Sequence, residues 1–262
     1  MIRTFRAEFV KLLRRRVLLI TGAVTLLAAV GGAAIVLASA KPAALAGGVR
    51  PVTLEQLGRD GGGTDVFRIV TSFAGTFLFV VFVAVVAVEF SRGTIRTMLL
   101  RQPRRVSMLA GKVGALLTFA AATLLVGEIA TWIAARALAP SHDVVTTAWL
   151  SMHSLGAAVT DYGAVLLWVT GYAVLGTMVA VLLRSVPLAL GIGIAWAGPI
   201  EHLLQDAWKP ASRFFPGLLL EAFAAGGNAN VTAARALTTI VVYLMIAAAI
   251  TATVFARRDV TA

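Results

Sequence analysis

The chain of 262 residues contains no cysteine. That excludes a disulfide framework, a thiolate nucleophile and a cysteine-based metal site. Charge is scarce: 13% of residues are Asp, Glu, Lys or Arg, against about 25% in an average globular chain. Histidine occurs three times, at His142, His153 and His202. None forms an i, i+4 pair or an HExxH arrangement, so no metal site is expected. No GxSxG elbow anchors a hydrolase. No GxxxxGK[ST] occurs, and Gly61-Gly62-Gly63 lacks the Gly-Lys-Ser/Thr of a phosphate loop. The chain is therefore expected to hold no cofactor and to be no enzyme in its own right.

What is present is apolar surface. Hydrophobic residues make up 59% of the chain and the mean hydropathy is +0.90. A soluble domain of this size cannot bury that much. The sequence predicts an all-α polytopic membrane protein. The net charge of +11 does not point to nucleic acid, because the cations lie beside apolar runs. Abundant Ala, Val, Gly and Arg suggest a GC-rich bacterial gene, and hence the bacterial inner (plasma) membrane.

In chain order, residues 1–16 read as a basic amphipathic helix lying in the membrane interface. Ile2, Phe5, Phe9, Leu12 and Leu13 share a face, with Arg3, Lys11, Arg14 and Arg15 mostly opposite. Residues 17–40 carry no charge and form the first span. Ala38-Ser39-Ala40 resembles a signal-peptide cleavage site, but the apolar run exceeds the roughly 7–15 residues of such peptides. Residues 41–65 read as a polar, glycine-rich flexible linker.

Five more spans are expected at 66–88, 113–135, 162–183, 186–204 and 236–256. The fifth has only 15 uncharged residues, 186–200, or about 22 Å. That falls short of the roughly 30 Å hydrocarbon core, so it must continue past Glu201 or stop short. Residues 205–230 contain Pro210 and Pro216, and their apolar run 214–225, with Pro216, Gly217 and Glu221, is too short and too broken to cross; the segment reads as external and re-entrant or interfacial. The whole chain, 1–262, is one transmembrane domain on this reading.

Residues 89–112 form a basic loop between spans two and three, with Arg92, Arg96, Arg101, Arg104, Arg105 and Lys112 against Glu89. No proline occurs from Glu89 to Gln102, so a short helix is expected there, ended by Pro103. With both termini inside, cytoplasmic segments carry 15 of the 23 cations and a net +12, and external segments a net zero. The positive-inside bias therefore favours both termini in the cytoplasm.

Two acids are candidates for a pathway. Glu128 is the one acid within a span. It reads either as a substrate or proton contact, or as a carboxyl hydrogen-bonded to a neighbouring helix. Glu201, with His202, reads either as a gate or as an interfacial cap.

This order of parts resembles the permease subunit of an ATP-binding-cassette transporter of the type-2 exporter class. The shared parts are six spans, an amphipathic N-terminal helix, a coupling helix between spans two and three, and a broken external segment between spans five and six. The most specific likeness is Glu89-Phe90-Ser91-Arg92-Gly93-Thr94-Ile95-Arg96, followed by Pro103-Arg104-Arg105 and Gly111-Lys112. The resemblance implies an ATPase-coupling role for Glu89, Arg92, Gly93, Thr94 and Arg96. It also implies that ATP and Mg sit on a separate ATPase subunit, and that a second permease copy, the same or different, completes the complex. Membrane lipids are the remaining partner, and no nucleic acid is expected. Two other classes stay open: an ion-coupled secondary transporter using Glu128, and a membrane assembly protein whose basic loop binds anionic lipid.

Overall fold

In a computed structural model, the described residues are 1–45, 52–72, 75–101 and 104–257. No β-strand occurs among them. The α-helices are α1 (Ile2–Leu12), α2 (Arg15–Ser39), α3 (Leu54–Leu57), α4 (Gly62–Ser72), α5 (Gly75–Ser91), α6 (Thr94–Arg101), α7 (Arg105–Leu138), α8 (Met152–Leu183), α9 (Val186–Ala195), α10 (Glu201–Ala207), α11 (Pro216–Ala224) and α12 (Ala233–Arg257). Among the described residues, four stretches are long and apolar enough to cross a membrane: Arg15–Ser39, Arg105–His142, Met152–Leu183 and Ala233–Arg257. The chain is thus an all-helical membrane protein.

The chain divides into two compact units. The first comprises Met1–Lys11, Ala74–Thr118 and Leu167–Ala262, and the second Leu12–Phe73 and Phe119–Leu166. Within the first, α5 packs on α9 and α11 on α12. Small residues permit close approach: a Cβ at Gly193 of α9 would lie 2.6 Å from the Phe79 ring of α5, and one at Gly171 of α8 would lie 2.5 Å from Leu220 of α11. In the second unit, α2 packs on α4 around a core of Ala33, Leu37, Leu57, Val66, Ala135 and Trp149.

Several boundaries differ from the sequence reading. The N-terminal helix ends at Leu12, not residue 16, because Arg14 takes an extended conformation (φ −61°, ψ 136°) and α2 begins at Arg15. The described parts of 41–65, residues 41–45 and 52–65, hold short helical segments rather than the expected flexible linker. Glu55 accepts the Ala43 N–H, which holds its carboxyl below the usual range. The glycines there are close-packing devices. Gly62 and Gly63 are buried at the start of α4. A Cβ on Gly62 would strike the Leu57 carbonyl, and one on Gly63 would lie 2.7 Å from the Trp132 ring. The helix at the expected fourth span, α8, starts at Met152 rather than 162, so Asp161 falls inside it.

The loop 89–112 does not hold one helix from Glu89. Instead α5 runs through Glu89 to Ser91, the chain turns at Gly93, and α6 follows. Gln102 and Pro103, expected to end that helix, lie outside the described residues. The fifth apolar stretch is interrupted. α9 passes into a π-helical turn, Trp196–Ile200, containing Pro199, and then into α10. Within 205–230 the chain forms α11 of nine residues, about 13 Å long.

Candidate functional site

The most specific sequence pattern, 89–112, folds into a charged elbow in the first unit. Gly93 sits at φ +67°, in the left-handed region, where a Cβ is disfavoured. Its N–H donates to the Phe90 carbonyl (3.1 Å), and the Thr94 hydroxyl donates to the Glu89 carbonyl (3.2 Å). Together these bonds satisfy carbonyls at the end of α5, as a glycine C-cap does. Sequence pattern alone suggested continuous helix, because it counted the missing proline and not the left-handed glycine.

Glu89 is half-buried and ion-paired at this turn. Lys112 Nζ donates to Glu89 Oε1 at 2.6 Å and to Glu8 Oε2 at 3.2 Å. Glu8 also accepts from Lys11 Nζ at 2.5 Å. Lys112 is only 5% exposed, so its charge is compensated by two carboxylates rather than by solvent. Burial pushes the Glu8 carboxyl up, but the Lys11 and Lys112 ammonium groups outweigh it and hold the group below its ordinary range. Gly111 permits this contact: a Cβ there would lie 2.7 Å from the Met1 carbonyl and 3.2 Å from the Phe5 nitrogen.

On α1, Thr4 and Glu8 are buried against the protein while Ile2 and Val10 are exposed. Phe5, Phe9 and Leu12, on the apolar side, are half-buried. The role of Glu8 was not read from the sequence. Its i+3 neighbour Lys11 was the available signal, and the Lys112 partner lies 104 residues away.

The other ends of the first unit meet the same elbow. Arg184, in the left-handed turn before α9 (φ 50°), places its Cζ 5.6 Å over the Phe90 ring. Phe255 packs edge-on to Phe90 at 6.0 Å. On α6, Ile95 is buried and Leu100 is 82% exposed, while Arg92 is exposed in the turn before it. Arg96 lies on the same helix.

Glu201 occupies a different place from the one expected of a solvent-facing cap. It is 1% exposed. Its Oε2 accepts the Leu218 N–H at 2.9 Å, the third residue of α11, so Glu201 acts as a remote N-cap of that helix. A Cβ on Gly217 would lie 2.5 Å from the same oxygen. The next residue, His202, places Nε2 3.3 Å from Glu221 Oε1 on α11. A small cavity of about 130 Å³ adjoins Glu201, between Phe79, Tyr172 and Trp196.

Glu128 belongs to the second unit, so the two acids singled out from the sequence lie in different units. It lines a cavity of about 540 Å³ with Trp132, Trp149, Ser154 and Tyr162. It is 6% exposed, and its Oε1 has no hydrogen-bond partner among the described residues. Beside the cavity, Asp161 accepts from the Thr64 hydroxyl (2.8 Å) and pairs with Arg68 (3.4 Å), which also pairs with Asp65.

Residues 58–261 match the family described as Protein of unknown function (DUF2705). The match covers well over half of the chain, which therefore belongs to that family. No curated protein and no solved structure matches it.

Proposed function

We propose that this chain is the membrane permease subunit of an ATP-binding-cassette exporter, driven by a separate ATPase that docks on the elbow. The observation that carries the reading is the Glu8–Lys112–Glu89 cluster. It ties the interfacial helix, the end of α5 and the root of α7 into one buried joint. A push on α6 would then reach three elements at once, and a coupling element must move as a connected two-state body to transmit force. Exposed Leu100 and Arg92 give a partner an apolar and a cationic contact.

In this reading six segments cross the membrane, with α5 as the core of the second and α9–α10 as the bent fifth. α11 dips into the outer leaflet, and the stacked, half-exposed pair Trp208 and Phe214 sits at the interface, where aromatic residues are enriched. Both termini are cytoplasmic. The clustering of α1, the elbow, Arg184 and Phe255 supports this, since all belong to segments assigned to that side by charge. Within the second unit, Trp149 Nε1–H donates to the Leu57 carbonyl (2.8 Å) and the Ser151 hydroxyl to Asp60 (2.7 Å). A second permease copy completes the pathway, and ATP and Mg belong to the ATPase.

The test is paired purification of the tagged chain with its ATPase, followed by transport in liposomes. Arg92→Glu/Gly93→Pro should insert normally, lose the ATPase and lose transport. A second reading draws on the free Oε1 of Glu128: an ion-coupled transporter that needs no ATPase. Transport by the chain alone, abolished by Glu128→Gln, would favour it.

A further inference from the structure

We propose that the cavity beside Glu128 binds a hydrophobic organic cation, with the Glu128 carboxylate as its counter-charge. The volume of about 540 Å³ lies within the range of sites for drug-sized ligands, about 300–1,000 Å³. The wall is mostly apolar and includes Trp132, Trp149 and Tyr162.

The polar groups in that wall decide the ligand's charge. Tyr162 donates its hydroxyl to the Ala121 carbonyl (3.0 Å), and Trp149 donates Nε1–H to the Leu57 carbonyl. Ser154 donates to the Ala148 carbonyl (2.7 Å), and the Thr64 hydroxyl is shared between Asp161 and the Gly61 carbonyl. These four donors are committed elsewhere, and Glu128, which lines the same cavity, has an Oε1 bonded to none of them. Among the described residues no cation pairs with Glu128 either. Arg68 is held between Asp65 and Asp161. Arg136 stacks over Trp132 at 5.7 Å.

A buried carboxylate without donors is costly unless something compensates it. A ligand that brings positive charge does so, and aromatic faces add to cation binding. The hydrophobic character follows from the rim, where Leu150, Met152, Leu155 and Val159 are exposed. A small hydrophilic cation such as potassium would find too few oxygens there.

This inference does not rest on coupling to an ATPase, and it is tested on the full chain purified in detergent without one. The probe is tetraphenylphosphonium, titrated while tryptophan fluorescence and equilibrium binding are read. Saturable binding is expected. Glu128→Gln should weaken it by about tenfold or more, as expected for losing a charge-assisted contact. Glu128→Asp should retain most of it. The neutral probe triphenylphosphine oxide should bind more weakly and respond little to Glu128→Gln.

Equal affinity of wild type and a folded Glu128→Gln for the cation would overturn the proposal. So would equal affinity for the neutral probe, which would mark an apolar cleft for a lipid tail. If Glu128→Gln fails to fold, Leu155→Trp at the rim provides the second variant. It should block the cation while helicity is kept, and undiminished binding would again overturn the assignment.

Discussion

Lys112 and Glu89 form an ion pair of 2.6 Å that joins the root of one long helix to the corner of another, 23 residues earlier in the chain. Glu8 completes it from the N-terminal helix. Lys112 is the hub, because it alone touches both acids. Lys112→Met should therefore leave two carboxylates facing each other in a shielded site. Breaking a buried pair by removing one partner costs about 3–5 kcal/mol, and the partial exposure of both glutamates places this case at or below the lower end. A clear fall in melting temperature in detergent is expected. Lys112→Met with Glu8→Gln and Glu89→Gln should recover much of it. No recovery would mean that the charges are not what Lys112 balances.

The same cluster sets a pH response. Because Lys11 and Lys112 hold the Glu8 carboxyl below its ordinary value of 4.5, its contribution to docking is complete above that pH. It is lost as pH falls through the depressed folded value. The contact between α1 and α7 should loosen on acidification and be unaffected between pH 6 and 8. Labelling of Thr4→Cys, which is buried at neutral pH, reports it. Labelling that is already fast at neutral pH would contradict the docked position of α1.

Gly93→Ala should cost about 1 kcal/mol, the usual penalty of a Cβ in the left-handed region. Nothing lies within 4 Å of the added Cβ, so the effect is one of backbone conformation alone. Gly93→Pro should be worse, since proline fixes φ near −65° and the elbow needs +67°. Gly93→Asn should be nearest to wild type. The readout is retained insertion with altered protease sensitivity at α6. Wild-type behaviour of Gly93→Pro would show that the turn is not needed.

Glu201 is expected to act structurally. Loss of an N-cap typically costs about 0.5–2 kcal/mol, so Glu201→Gln should be mild and Glu201→Ala near the upper end. Gly217→Ala places a Cβ 2.5 Å from Glu201 Oε2 and should mimic Glu201→Ala in thermal melts. A Glu201→Ala protein as stable as wild type would remove the capping role.

Natural absence of cysteine makes topology accessible to single-cysteine labelling. Arg59→Cys, Arg213→Cys and Asn228→Cys should label from outside intact cells, and Arg96→Cys only after permeabilisation. Opposite sides for Arg213→Cys and Asn228→Cys would turn α11 into a crossing.

The long helices were legible because hydropathy over about 20 residues is a strong local signal. The amphipathic start was legible from the 3.6-residue period. The break at Arg14, the early start at Met152 and the packed glycines 61–63 were not. Each depends on what another segment brings: Leu57, Trp132 and Trp149 dictate Gly62 and Gly63. In the candidate site, Glu89 and Gly93 stood out in the sequence, but their geometry did not. The Glu89 partner is Lys112, and a left-handed glycine looks like any other glycine until its φ is known. Glu8 was hidden altogether, since a lone acid on a basic helix reads as surface.

The most direct measurement is site-specific photocrosslinking from Leu100, an exposed large hydrophobic side chain of α6, in the native membrane. The account predicts a conjugate with a soluble protein carrying a GxxxxGK[ST] motif and ATPase activity. That conjugate should be depleted by Arg92→Glu/Gly93→Pro. A properly inserted protein that crosslinks only to lipid, and transports without any ATPase, would contradict it.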